Sequence, residues 1–129
     1  MNYYNSKKVT TTFDETLIKI AEELKKEGFG ILTEIDVKTT LKNKLDVDFR
    51  KYKILGACNP SFAYKALQVE ENLGVLLPCN VVVQETESGE VQVSVVNPLV
   101  SMQAVSNEKL TEVAGEVSQK LQNALGNLY

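Results

Sequence analysis

The chain has 129 residues, 43% of them apolar and 24% charged, and carries a formal net charge of −3 at pH 7. It is one domain's worth of sequence, able to bury a core without disulfide or metal staples, and its slight acidity argues against general attraction to nucleic acid or an anionic membrane. Histidine is absent, which excludes histidine-dependent serine and cysteine triads and histidine metal sites, and no apolar run approaches the length that spans a bilayer.

The first residues, Met1-Asn2-Tyr3-Tyr4-Asn5-Ser6-Lys7-Lys8, are polar and aromatic and do not read as a secretory signal. Together with only two cysteines, Cys58 and Cys79, this points to reduced thiols in the cytoplasm. Residues 3–11 read as a strand of mixed polarity. Thr12 and Glu15 have capping-box spacing, and Phe13, Leu17, Ile20, Ala21 and Leu24 recur as one helical stripe. Gly28 and Gly30 are expected to end that helix. Phe29, Ile31, Thr33 and Ile35 then alternate as a second strand.

Asp36 suits the cap of a short second helix, with Val37, Leu41 and Leu45 inward, and Asp46-Val47-Asp48 breaks it. Residues 51–57 read as a third strand, with Tyr52 and Ile54 on one face. Asn59 is a favoured N-cap and Pro60 a favoured first helical residue. A third helix to about Val69 follows, with Ala63, Ala66 and Leu67 inward. After Gly74, the apolar run 75–83 suggests a strand buried on both faces. Residues 87–90 form a hairpin turn into the alternating Val91, Val93 and Val95. Asn97-Pro98 stops that strand. A last helix begins near Ser106 or Asn107, with Leu110, Val113, Ala114, Val117, Leu121 and Leu125 buried.

No linker or repeat interrupts residues 1–129, so the chain reads as a single domain. The element order fits either a parallel α/β sheet or a mixed α+β one, and the hairpin requires at least one antiparallel pair. Gly28-Phe29-Gly30 precedes a strand, not a helix, so it cannot cradle a phosphate, and no nucleotide cofactor is expected.

Two motifs share a chemistry: Gly56-Ala57-Cys58-Asn59-Pro60 and Leu76-Leu77-Pro78-Cys79-Asn80. Each places a cysteine before an asparagine and beside a proline. A helix start after Cys58 would favour its thiolate, whereas an apolar strand around Cys79 would disfavour one. The plainer reading is that both are small buried hydrophobes. Two thiolates leave a tetrahedral site incomplete, so no metal is assigned. Asn59, Asn80 and Asn97 flank strand ends. They serve either as local caps and turns or as converging hydrogen-bonding groups in a ligand pocket. Lys38, Lys42, Lys44, Arg50, Lys51 and Lys53 interleave with Glu34, Asp36, Asp46 and Asp48, which describes a solvated face of mixed charge.

The segment Gly28-Phe29-Gly30-Ile31-Leu32-Thr33-Glu34-Ile35-Asp36-Val37-Lys38, with the two cysteine motifs after it, resembles the three ordered signatures of domain of unknown function family 302. The resemblance implies an α+β domain with a mainly antiparallel sheet of about five strands packed by helices, in a TATA-binding-protein-like arrangement, and a homodimer. It implies no particular activity, and likeness to a DNA-binding fold carries no function by itself. The expected role is a cytoplasmic homodimeric module that binds a small ligand or a protein, without nucleic-acid or membrane partners. The alternative is thiol-dependent redox or sulfur handling, with Cys58 reactive and Cys79 resolving it. Either way, both cysteines are expected at the same end of adjacent antiparallel strands, with Asn59 capping the next helix.

Overall fold

The computed structural model describes residues 2–129 and contains strands β1 (Tyr4–Val9), β2 (Gly30–Asp36), β3 (Tyr52–Cys58), β4 (Cys79–Glu85) and β5 (Val91–Val96). They form one open sheet in the order β1-β5-β4-β3-β2, and every neighbouring pair is antiparallel. The helices are α1 (Phe13–Lys26), α2 (Val37–Leu45), α3 (Pro60–Val69), α4 (Pro98–Ser101) and α5 (Glu108–Gly126). The chain is thus an α+β domain with a wholly antiparallel sheet.

Helices α1 and α5 cover one sheet face. Phe13, Ile20 and Leu24 from α1, and Val117, Leu121 and Leu125 from α5, meet Leu55, Ala57, Val81, Val83, Val93 and Val95 there. The other face carries Tyr4, Tyr52, Ile54, Val82, Gln84, Ser94 and Val96, all partly exposed. Tyr52 and Ile54 do share a face, but it is this open one. Leu55 and Ala57 point into the core.

Local chemistry explains the element ends. Thr12 Oγ1 accepts from the Glu15 backbone N–H at 3.2 Å and donates to Glu15 Oε1 at 2.9 Å, so the box closes through the hydroxyl. At the other end of α1, Gly28 has φ 87°, its N–H reaches Lys25 O at 3.0 Å, and the Phe29 N–H reaches Leu24 O at 2.9 Å. This doubly bonded left-handed turn, with Leu24 and Phe29 both in the core, needs Gly28 alone. Gly30 lies in β2 and plays no part in the cap.

Four expectations give way. The register shifts between Ile31 and Thr33, so Ile31 pairs with core-facing Ala57 while Ile35 pairs with Ile54 on the open face. This bulge reverses the alternation, and Ile35 is exposed. Helix α2 has no buried residue, and Leu45 is exposed beside left-handed Asp46, because the helix sits at the β2 side of the sheet. The run 75–83 is not one strand. Residues Leu73–Leu76 form a 3-10 turn with Val75 exposed, and pairing starts only at Cys79. Pro78, having no N–H, cannot donate to a ladder, and from there burial alternates instead of being continuous. Leu67 on α3 faces outward. Asn97-Pro98 does end β5, but it also starts α4.

Candidate ligand pocket at the cysteine pair

Strand pairing brings the two cysteine motifs together. Ala57 is the direct cross-strand partner of Cys79, and Cys58 is the next residue along. A strand spacing near 5 Å and a rise near 3.3 Å put the Cys58 and Cys79 Cα atoms roughly 6 Å apart. They therefore lie at the same end of adjacent antiparallel strands, and no disulfide joins them.

Both cysteines line a cavity of about 290 Å³. Its floor is the cysteine end of β2, β3 and β4, and its walls are α3 and α5. Phe62, Ala63 and Ala66 come from α3, and Leu110, Val113, Ala114 and Val117 from α5. Thr33, Asn59 and the two cysteines are its polar residues; Phe29, Leu32, Leu77, Pro78 and Met102 add apolar wall. Exposed Leu32, the bulged residue of β2, stands at the rim. The bulge that spoils the alternation of β2 also supplies part of this wall.

Tight backbone approaches fix the floor. A Cβ on Gly56 would overlap the Thr33 hydroxyl and lie 2.8 Å from Pro78 Cγ. A Cβ on Gly28 would lie 2.9 Å from Asn59 Nδ2. Asn59 sits at the N-cap position of α3, but its side chain makes no capping bond. Its Nδ2 instead donates to Glu27 O at 3.2 Å, tying α3 to the end of α1. The expected cap at Asn59 is therefore corrected: the tertiary tie to Glu27 takes the amide away from its own helix.

The three asparagines do not converge. Asn80 is exposed on the open face, where it lines a groove with Tyr4, Tyr52 and Gln84. Asn97 is buried, donates to Asn2 O, accepts from Leu99 N and from Ser118 Oγ at 3.2 Å each, and thereby caps α4. Only Asn59 borders the cavity. Asp36 caps α2 by accepting from Thr39 N at 3.0 Å, a bond that holds its carboxyl below the usual range. Glu34 pairs with Lys53 at 2.7 Å. Neither carboxylate is at the cavity.

A family model described as domain of unknown function DUF302 matches residues 5–128. The chain belongs to the DUF302 family. This DUF302 domain is similar to the crystal structure of an uncharacterised conserved DUF302 protein from Bacillus stearothermophilus, with 28% identity, a TM-score of 0.93 and complete coverage of both chains. No curated protein matches it.

The chemistry open to this DUF302 site follows from its walls. Cys79 is 8% exposed, and burial, with the neighbouring Cys58 adding to it, pushes its thiol up to about 11. At neutral pH it is therefore a proton-bearing thiol, with about one molecule in 10⁴ as thiolate. Among the described residues no group of three or more histidine, cysteine, aspartate or glutamate side chains is placed to hold a metal ion, and no helix is long and apolar enough to cross a membrane. Phe62, Met102 and Val113 were not legible as site residues. Phe62 and Val113 carry the signal of ordinary helix residues, and Met102 lies in the turn after α4, where nothing in the sequence marks it.

Proposed function

We propose that this DUF302 domain is a binding module for one small, largely apolar molecule held between α3, α5 and the cysteine end of the sheet. The observation that carries the reading is the cavity of about 290 Å³ with apolar walls and a few polar points. Such concave, mostly apolar sites with sparse orienting groups are the usual form of small-ligand pockets. A ligand that buries about 200 Å² of apolar surface there gains roughly 5 kcal/mol before association costs, which corresponds to weak to moderate affinity. Thr33, Asn59 and Cys58 supply orientation.

The thiol-redox alternative draws less support. A resolving cysteine must present a thiolate, and burial of Cys79 opposes that. We place the module in a reducing compartment, the cytoplasm, on the strength of its unbridged cysteines. We also propose that it works as a homodimer joined through the open sheet face. That face mixes Val82, Ile54 and Val96 with Gln84, Gln92 and Ser94, an apolar and uncharged polar centre with Arg50, stacked on Tyr52, and Lys8 beside it. Sedimentation of a monomer at tens of micromolar would remove the dimer from the account.

The binding test uses an uncharged fluorescent probe, N-phenyl-1-naphthylamine. Saturable enhancement at one site per chain is expected for the wild type. Ala63→Phe, which projects a ring into the cavity from half-buried Ala63, should abolish it while leaving the circular dichroism unchanged. Equal enhancement in the variant, or none in the wild type, would overturn the reading.

A further inference from the structure

The buried core falls into two clusters. One gathers α1, the sheet and the C-terminal half of α5; the other joins Ala66, Leu73 and Leu110, with Met102 and Val105 packed on it. The cavity is lined from both, by Ala57, Cys79 and Val117 of the first cluster and Ala66 and Leu110 of the second, so it is the gap between them. Beyond Met102 lies a second cavity of about 240 Å³, between α4, the turn that follows it and α5. Met102, Leu110 and Ala114 line both spaces.

We propose that the two cavities are lobes of one binding site for an uncharged straight-chain amphiphile of the long-chain alcohol kind. The Met102 side chain is the movable partition between the lobes, and the polar end of the ligand lies at Asn59. The proposal rests on the pocket reading above and names its ligand class.

Size supplies the first argument. An apolar cavity of about 150 Å³ accepts one benzene ring. By that measure the first lobe, at about 290 Å³, takes about twelve carbon atoms, and the second lengthens the site to about twenty.

The partition supplies the second. Leu110 and Ala114 are buried on the long helix α5 and are fixed there. Met102 is half-buried in the turn after the four-residue α4. Its backbone is held, since its N–H donates to Pro98 O at 3.0 Å and its carbonyl accepts from the Val105 N–H at 3.0 Å. What moves is the unbranched side chain, with three rotatable bonds. Swinging it aside joins the lobes without breaking a backbone hydrogen bond. A passage one side chain wide admits an alkyl chain and refuses a bulky ring system.

Charge supplies the third. Among the described residues no lysine, arginine, aspartate or glutamate lines either lobe, so a charged ligand would be buried without a partner, at high cost. Asn59 borders the first lobe. Its Nδ2 is spent on Glu27 O, while its Oδ1 accepts no bond among the described residues and is left for a ligand hydroxyl.

The test displaces N-phenyl-1-naphthylamine from the full chain with octanol, dodecanol and hexadecanol, each delivered from cyclodextrin, and follows the labelled Met102 methyl group by nuclear magnetic resonance. Wild-type affinity should rise about fourfold per added methylene up to hexadecanol, the effect of burying one such group. The Met102 methyl resonance should shift with hexadecanol and stay in place with octanol. Met102→Ile nearly keeps the volume but stiffens the partition, and Val105→Phe fills the second lobe. In both variants hexadecanol should bind within about threefold of dodecanol, while dodecanol and the naphthylamine bind as they do to the wild type. A chain-length gain in either variant equal to that of the wild type, a wild-type gain that stops at dodecanol, or a Met102 methyl that hexadecanol does not shift would each overturn the two-lobe proposal, and with saturable naphthylamine binding the pocket reading would stand. Failure of the naphthylamine to bind the wild type overturns the pocket reading and this proposal with it. The methyl readout needs no variant, so it stays decisive if a substitution prevents folding.

Discussion

Replacing Gly56 with alanine tests the packing under the pocket floor. The added Cβ would overlap the Thr33 hydroxyl and sit 2.8 Å from Pro78 Cγ. The two obstacles differ in kind. Thr33 is exposed and its hydroxyl can swing aside, whereas the Pro78 ring is part of a rigid backbone unit. Overpacking of this sort costs about 1–3 kcal/mol, and replacing a strand glycine with alanine returns about 0.5–1 kcal/mol of backbone entropy. Two simultaneous obstacles put the overpacking at the upper part of its range, so a net loss of about 1–2 kcal/mol is expected for Gly56→Ala. Thr33→Ala alone should change stability by less than about 0.5 kcal/mol, since an exposed side chain is being trimmed. In the Gly56→Ala background the same change should recover about 0.5 kcal/mol or more, a coupling that a double-mutant cycle isolates. Urea unfolding with an unchanged denaturant slope is the assay. Gly56→Ala within about 0.5 kcal/mol of the wild type, or a cycle with no coupling, would refute the close approach of β3 to Thr33 and Pro78.

Two further outcomes follow from the same structure. Asn97→Ala should cost about 2 kcal/mol in thermal or urea unfolding, because it removes the α4 cap and the acceptor of the buried Ser118 O–H, which keeps only its bond from Gln122, whereas Asn80→Ala on the open face should cost less than about 0.5 kcal/mol. Cys79 gives a pH signature. Burial raises its thiol from the usual 9.0 to about 11, so the folded chain keeps a proton that the unfolded chain releases between those values. The resulting stabilisation is complete below the unfolded value and is lost as pH rises through the folded one, by at most about 2.7 kcal/mol. Stability measured from about pH 8 to 11 should therefore fall more steeply for the wild type than for Cys79→Ala, and parallel curves would contradict the burial of this thiol.

Most of the framework was legible because its signals are local. Thr12 with Glu15, the alternation from Val91 to Val95 and the α5 stripe each follow from side-chain spacing that the surrounding fold does not overrule. The misreadings occur where tertiary contacts override local preference. Asn59 has the chemistry of a cap, yet its amide serves Glu27 across the fold. The same Asn-Pro pair recurs at 97–98, where the asparagine does cap, and there it was read only as a stop. Nothing in the β2 sequence announces the bulge at Leu32, which depends on pairing with a distant strand. The closeness of the Cys58 and Cys79 backbones was expected only through the family resemblance, which implied antiparallel neighbours; the residues alone left parallel pairing open, and the observed antiparallel register returns the start of β4 to the end of β3. The cavity itself was not readable. Val113 and Val117 look like core residues in a helical stripe, and only the spread of α3 from α5 leaves space in front of them.

The central claim is that a small apolar molecule is held at the cysteine end of the sheet. Nitrogen–proton correlation spectra of the uniformly labelled chain, titrated with N-phenyl-1-naphthylamine, test it most directly. The account predicts saturable shifts at one site, concentrated at Ala57, Cys58, Phe62, Ala66, Val113 and Val117 around the cavity. Shifts that centre instead on Tyr4, Tyr52, Gln84 and Gln92 along the groove of the open face, or that fail to saturate, would contradict it.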